Sequence, residues 1–108
     1  MTTLLQITTT TPTRDEADRI AAALVERRLA ACVQVAGPIT SVYRWEGRLE
    51  TAHEWLCIIK TTAARYPQIE TAIRELHSYE LPEIIGTEIV EGNGEYLRWV
   101  EAETVSEE

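Results

Sequence analysis

The chain has 108 residues, enough for one domain and too few for a second core. Its 44% hydrophobic and 26% charged content is that of a folded globular chain, which argues against disorder throughout. Eighteen acidic against ten basic side chains give a formal charge of -8, which repels nucleic-acid phosphates and anionic membranes.

No apolar run reaches the roughly 18 residues that span a bilayer. The start, Met1-Thr2-Thr3, lacks the basic and then apolar pattern of an export signal. The expectation is a cytoplasmic protein with neither a membrane nor a nucleic acid as partner. Residues 101–108 hold Glu101, Glu103, Glu107 and Glu108 without a base, and setting this acidic tail aside leaves a net charge of -4.

Leu4 to Thr10 is rich in Leu, Ile and Thr and stops at Pro12, which predicts a strand. Thr13-Arg14-Asp15-Glu16 has the S/T-x-x-E form of a capping box, in which the Thr13 hydroxyl and the Glu16 carboxylate each satisfy an unpaired amide. The apolar stripe Ala17, Ile20, Ala21, Leu24 and Val25 then predicts a helix ending near Arg28, its last cations facing the negative end of the dipole. Cys32 to Ala36 and Ile39 to Trp45 read as one strand bent at Gly37-Pro38. Trp45-Glu46-Gly47-Arg48 reads as a hairpin turn, with Leu49 to Lys60 returning.

Pro67 suits the first turn of a second helix with the face Ile69, Ala72, Ile73 and Leu76. A last strand is predicted over Glu83 to Val90, and Asn93-Gly94 opens a short C-terminal helix carrying Tyr96, Leu97, Trp99 and Val100. The order βαββαβ predicts an α+β, ferredoxin-like domain over 1–108: four antiparallel strands, both main helices on one face, a long hairpin between the second and third strands and a short C-terminal helix.

Such a sheet leaves one face bare. In Trp55-Leu56-Cys57-Ile58-Ile59 the residues pointing to both faces are apolar, so both sides of that strand call for cover. One chain cannot bury all of this surface, and a homo-oligomer built on the open face and the hairpin arms is expected.

The polar residues select few chemistries. There is no P-loop, no G-x-G-x-x-G and no H-E-x-x-H, and Thr8 to Pro12 contains no Gly through which amides could approach a phosphate. Cys32 and Cys57 lie in no paired-cysteine loop and stand too far apart for a disulfide, so they read as buried free thiols, with a metal or redox role as the alternative. His77 sits at the end of the second helix, either as a dipole-favoured C-terminal histidine or as a metal ligand near Glu80 and Glu83. His53 reads as solvent-facing or interfacial, and Trp45, Trp55 and Trp99 read as packing anchors, Trp45 needing a partner to cover it. Lys60, the only lysine, is a rim residue or an anion binder. His77 and Glu83 could serve as an acid and base, but no nucleophile or oxyanion loop accompanies them.

Ala31-Cys32, Ile39 to Glu50, Ile59-Lys60-Thr61-Thr62, His77-Ser78-Tyr79-Glu80-Leu81-Pro82-Glu83-Ile84 and Tyr96-Leu97-Arg98-Trp99 together resemble the CutA family of divalent cation tolerance proteins. The likeness runs from Leu5 to about Ala102. It implies an interlocked homotrimer similar to the PII signalling proteins, acting without catalysis in the response to divalent metals of the copper type, as a binding or sensing scaffold. The alternative is a structural assembly module with no metal role. It further implies that Trp45, Glu50, Lys60, His77, Tyr79 and Glu83 gather at inter-subunit clefts for a metal or small-molecule ligand. Of the copper ligands proposed in the family, a cysteine is matched here by Thr9 and a second histidine by Leu76. Only His77 then remains, for weak binding of Cu or Zn.

Overall fold

The computed structural model describes residues 2–105; Met1 and, of the acidic tail, Glu107 and Glu108 lie outside the described residues. The elements are β1 (Leu4–Thr11), α1 (Arg14–Glu26), β2 (Cys32–Trp45), β3 (Arg48–Thr62), a 3-10 turn (Ala63–Arg65), α2 (Tyr66–Leu76), β4 (Ile85–Glu88) and α3 (Gly94–Glu103). The strands form one antiparallel sheet in the order β2-β3-β1-β4, the ferredoxin-like arrangement expected. No helix of the described residues is long and apolar enough to cross a membrane.

Strand alternation divides β1 and β3 into two faces. Ile7 and Ile59 pair across the strands and are fully buried beneath Ile20 and Leu24 of α1 and Ile69, Ala72 and Ile73 of α2. Thr8, Leu56 and Ile58 point the other way and are half-buried. That second face is covered at one end, where Val100 and Leu97 of α3 pack with Leu4 and Ala31. The C-terminal helix therefore closes a part of the sheet that the two main helices leave open. Arg65 Nε donates to Thr104 O at 2.7 Å and Arg28 donates to Ala102 O at 3.0 Å, satisfying carbonyls at the end of α3.

β2 and β3 build the long hairpin, and the described residues extend over 44 × 28 × 21 Å. Its turn places Glu46 at φ 50° and Gly47 at φ 79°, the left-handed pair that a tight two-residue hairpin loop requires. A bulge between Ala36 and Ile39 shifts the register, so Cys57 faces Val35 instead of the Ala36 that unbroken pairing predicts. At Gly37 an added Cβ would stand 2.8 Å from Trp55 Cδ1 and 3.0 Å from Glu54 O, so the bend needs a residue without a side chain.

Several local expectations are corrected. The last strand is four residues, not the eight from Glu83 to Val90, because Leu81 to Ile84 belong to a connection held by side chains and only Leu5 to Thr8 of β1 pair with it. The first helix ends at Glu26 with no base in its last turn; Arg28 adopts φ 58° and turns the chain toward β2. Half of the capping box forms. The Glu16 amide donates to Thr13 Oγ1 at 3.2 Å, but the Glu16 carboxylate accepts from Ser78 N and Ser78 Oγ, each at 3.1 Å, in place of the Thr13 amide. Both cysteines are free, Cys57 fully buried and Cys32 half-buried.

Candidate functional site: an acidic, aromatic-walled cleft

After α2 the chain leaves the helix-covered side and passes the end of β1 on its way to β4. This connection, residues 77–84, is fixed by a chain of polar contacts. His77 caps α2, its amide donating to Ile73 O at 2.9 Å. Its ring has no exposure; it lies between two backbone groups, with the Glu16 carboxylate 3.4 Å from Nδ1. The Tyr79 amide can only donate, so His77 Nδ1, 3.0 Å away, accepts; Nε2 therefore carries the proton, which it donates to Thr10 O at 2.6 Å. The His77 and Tyr79 rings also stack in a tilted pair, 4.9 Å between centroids.

Tyr79 then reaches across the sheet. Its hydroxyl donates to Glu54 Oε2 at 2.8 Å, joining the connection to β3. The phenol is held well above its ordinary range, first by burial and then by the hydrogen bond and negative charge of Glu54, with smaller contributions from Tyr43 and Glu16. Glu54 is only 6% exposed, and no ion-pair partner faces it among the described residues.

Between this connection and the hairpin opens a cleft of about 830 Å³. Tyr43 and Trp45 of β2 form one wall; Tyr79, Leu81 and Pro82 form the other, with Thr10 and Ser41 between. Glu54, Glu80 and Glu83 supply its charge, and no Lys, Arg or His lines it. Thr8 Oγ1 donates to Glu83 Oε2 at 3.4 Å. Of its lining, the apolar side chains Val42, Tyr43, Trp45 and Leu81 are exposed.

Three of the six residues expected to share a site, Trp45, Tyr79 and Glu83, line this cleft. His77 stands behind it as a support. Its one lone pair is engaged by the Tyr79 amide, so metal ligation by His77 requires that hydrogen bond to break. Lys60 lies elsewhere: its ammonium donates to Gln34 Oε1 at 2.6 Å, six residues along β3 from Glu54 and therefore about 20 Å away at 3.3 Å per residue. Glu50 pairs with Tyr43 in the hairpin ladder outside the lining. His53 is exposed beside Thr40, as expected.

Glu54 and Glu16 escape sequence reading. Alternation marks Glu54 as one polar residue in a strand, and only the return of Tyr79 from 25 residues away makes it a buried carboxylate. Glu16 carries a helix-start signature that accounts for it fully until Ser78 arrives from 62 residues away. Among the described residues no three His, Cys, Asp or Glu side chains converge in a way that could hold a metal ion.

Residues 5–103 match the family model of the CutA1 divalent ion tolerance proteins. The divalent-cation tolerance protein CutA of Thermus thermophilus is 44% identical over 95 residues, covering 88% of this chain and 92% of that protein. Protein CutA of Mus musculus is 42% identical over 97 residues, covering 90% of this chain; the match spans 55% of the mouse protein's length. The solved structure of the Thermus thermophilus Cut A1 protein superposes with a TM-score of 0.93 at 41% identity, covering 94% of this chain and 99% of that one. Family model, relatives and fold agree over nearly the whole length, and the chain belongs to the CutA1 divalent ion tolerance protein family.

Proposed function

We propose that this protein acts in tolerance of divalent metal ions, as a cytoplasmic homotrimer that binds or senses a ligand without catalysing a reaction. The observation that carries this reading is the family match over residues 5–103, shared with relatives named for tolerance and not for a reaction. Assembly is supported by Leu56 and Ile58, apolar residues on the sheet face that α1 and α2 do not cover. A free, buried Cys57 suits a reducing compartment.

In this reading Cu²⁺ or Zn²⁺ meets the chain through weak contacts, and His77 contributes only after releasing the Tyr79 amide. Calorimetry with Cu²⁺ and Zn²⁺ on the wild type and on His77→Ala tests the metal part: weaker binding by the variant supports it, and equal binding removes His77 from the site. Light scattering at micromolar protein tests the assembly independently. A three-chain mass is expected, and a monomeric mass overturns the trimer.

A further inference from the structure

Two residues beyond Ile7 and Ile59 the helix-covered face of the sheet changes character. Thr9 and Cys57 are partners across β1 and β3, project to the same face as the isoleucine pair and are fully buried. The start of α1 lies over them at Ala17, also fully buried, whose carbonyl accepts from Cys57 Sγ at 3.8 Å. The neighbouring layer is filled by Ile7, Ile20 and Ile59, whereas this one is built from a threonine, a cysteine and an alanine.

Thr9 breaks a rule that the other fully buried hydroxyls keep. Thr11 and Thr61 are equally buried, and each donates to a carbonyl, Thr11 Oγ1 to Thr13 O at 2.7 Å and Thr61 Oγ1 to Leu29 O at 2.6 Å. Thr9 Oγ1 has no hydrogen-bond partner among the described residues. A hydroxyl taken out of water without a replacement bond is costly, and a valine of the same shape would avoid that cost.

Buried polar groups that the chain leaves over are characteristically met by an internal water that touches two to four of them. Three such atoms are within one small layer here. The Thr9 hydroxyl can donate and accept, the Cys57 sulfur accepts weakly while its hydrogen points to Ala17, and Ala17 O is held only loosely by that thiol.

We propose that Thr9 and Cys57 together hold one internal water, which accepts from the Thr9 hydroxyl and donates to the Cys57 sulfur and to Ala17 O. The water joins β1 and β3 to the start of α1 in a layer where no large side chain does so. Its neighbour along β1 is the residue that orients His77, since Thr10 O accepts from His77 Nε2. The connection after α2 is thus fastened to a strand that is itself hydrogen-bonded to α1 through solvent. Neither the metal reading nor the trimer enters into this assignment.

A crystal structure fine enough to place ordered solvent tests it directly. Density about 2.7–3.0 Å from Thr9 Oγ1, on the side of Cys57, is expected in every copy of the chain, and a structure without it overturns the proposal. Thr9→Val should lose that water and lower the urea midpoint at fixed protomer concentration. Relief of a hydroxyl that has no partner would raise the midpoint instead, so an unchanged or higher value in Thr9→Val overturns the proposal as well. Thr9→Ser keeps the hydroxyl and serves where Thr9→Val fails to fold. Its crystal structure should retain the density, and loss of the water there would show that the hydroxyl does not hold it.

Discussion

The Tyr79 hydroxyl donates a 2.8 Å hydrogen bond to the buried carboxylate of Glu54, and this bond fastens the connection after α2 to the third strand. Tyr79→Phe removes the only side chain among the described residues that donates a hydrogen bond to the Glu54 carboxylate, while keeping the ring. A hydrogen bond to a charged group is worth about 1.5–3 kcal/mol, and a loss of that size is expected in urea unfolding. Wild type and variant must be compared at one protomer concentration, because any assembly makes the midpoint depend on it. An unchanged midpoint would show that the bond does not form in solution.

His77 is assigned a single tautomer by its neighbours. With Nδ1 accepting from an amide and Nε2 donating to a carbonyl, long-range ¹⁵N–¹H correlation at neutral pH should show a protonated Nε2 and a bare Nδ1. The opposite pattern would contradict the packing. His77→Ala should cost more than Tyr79→Phe, since Thr10 O and the Tyr79 amide each lose a partner at about 1–3 kcal/mol and a cavity remains.

Cys57 is predicted to be chemically silent. Burial, with the nearby charge of Asp18, pushes its thiol from 9.0 to about 11. Reaction of the native protein with a thiol reagent near pH 8 should spare Cys57, with quantitative labelling only after denaturation. Because the folded state holds this proton more tightly than the unfolded one, its contribution to stability is complete below about pH 9 and is lost as pH rises through about 11. Cys57→Ala should flatten that alkaline decline.

Gly37→Ala should destabilise the hairpin by about 1–3 kcal/mol, the range for forcing atoms into a packed site. The added methyl would meet the Trp55 ring and the Glu54 carbonyl, and the latter is backbone and cannot swing aside. Thermal melts give the cost, and tryptophan fluorescence should report the displaced Trp55. A melt identical to that of the wild type would mean that the bend relaxes freely.

Local signals made much of this fold legible in the sequence. The Thr13 cap, the hairpin turn at Glu46-Gly47 and the Asn93 cap depend on residues within three positions of each other, and each forms where expected. The length of β4 and the register beyond Gly37 depend on which partner is in reach, and sequence periodicity does not record that. The site divides the same way. Within one chain Trp45 and Tyr79 line the same cleft, whereas Lys60 falls outside it because direction along a strand, and not residue type, decides which end of the sheet a side chain serves.

The unfinished capping box has a consequence of its own. By accepting from Ser78 in place of the Thr13 amide, Glu16 ties the first turn of α1 to the segment that leaves α2. Tyr79 is the next residue, so the position of one cleft wall is gauged from a helix start that contributes nothing to the lining. Substitutions at Glu16 can therefore alter what the cleft admits while every residue facing a ligand stays the same, and a search for specificity confined to the walls would miss them.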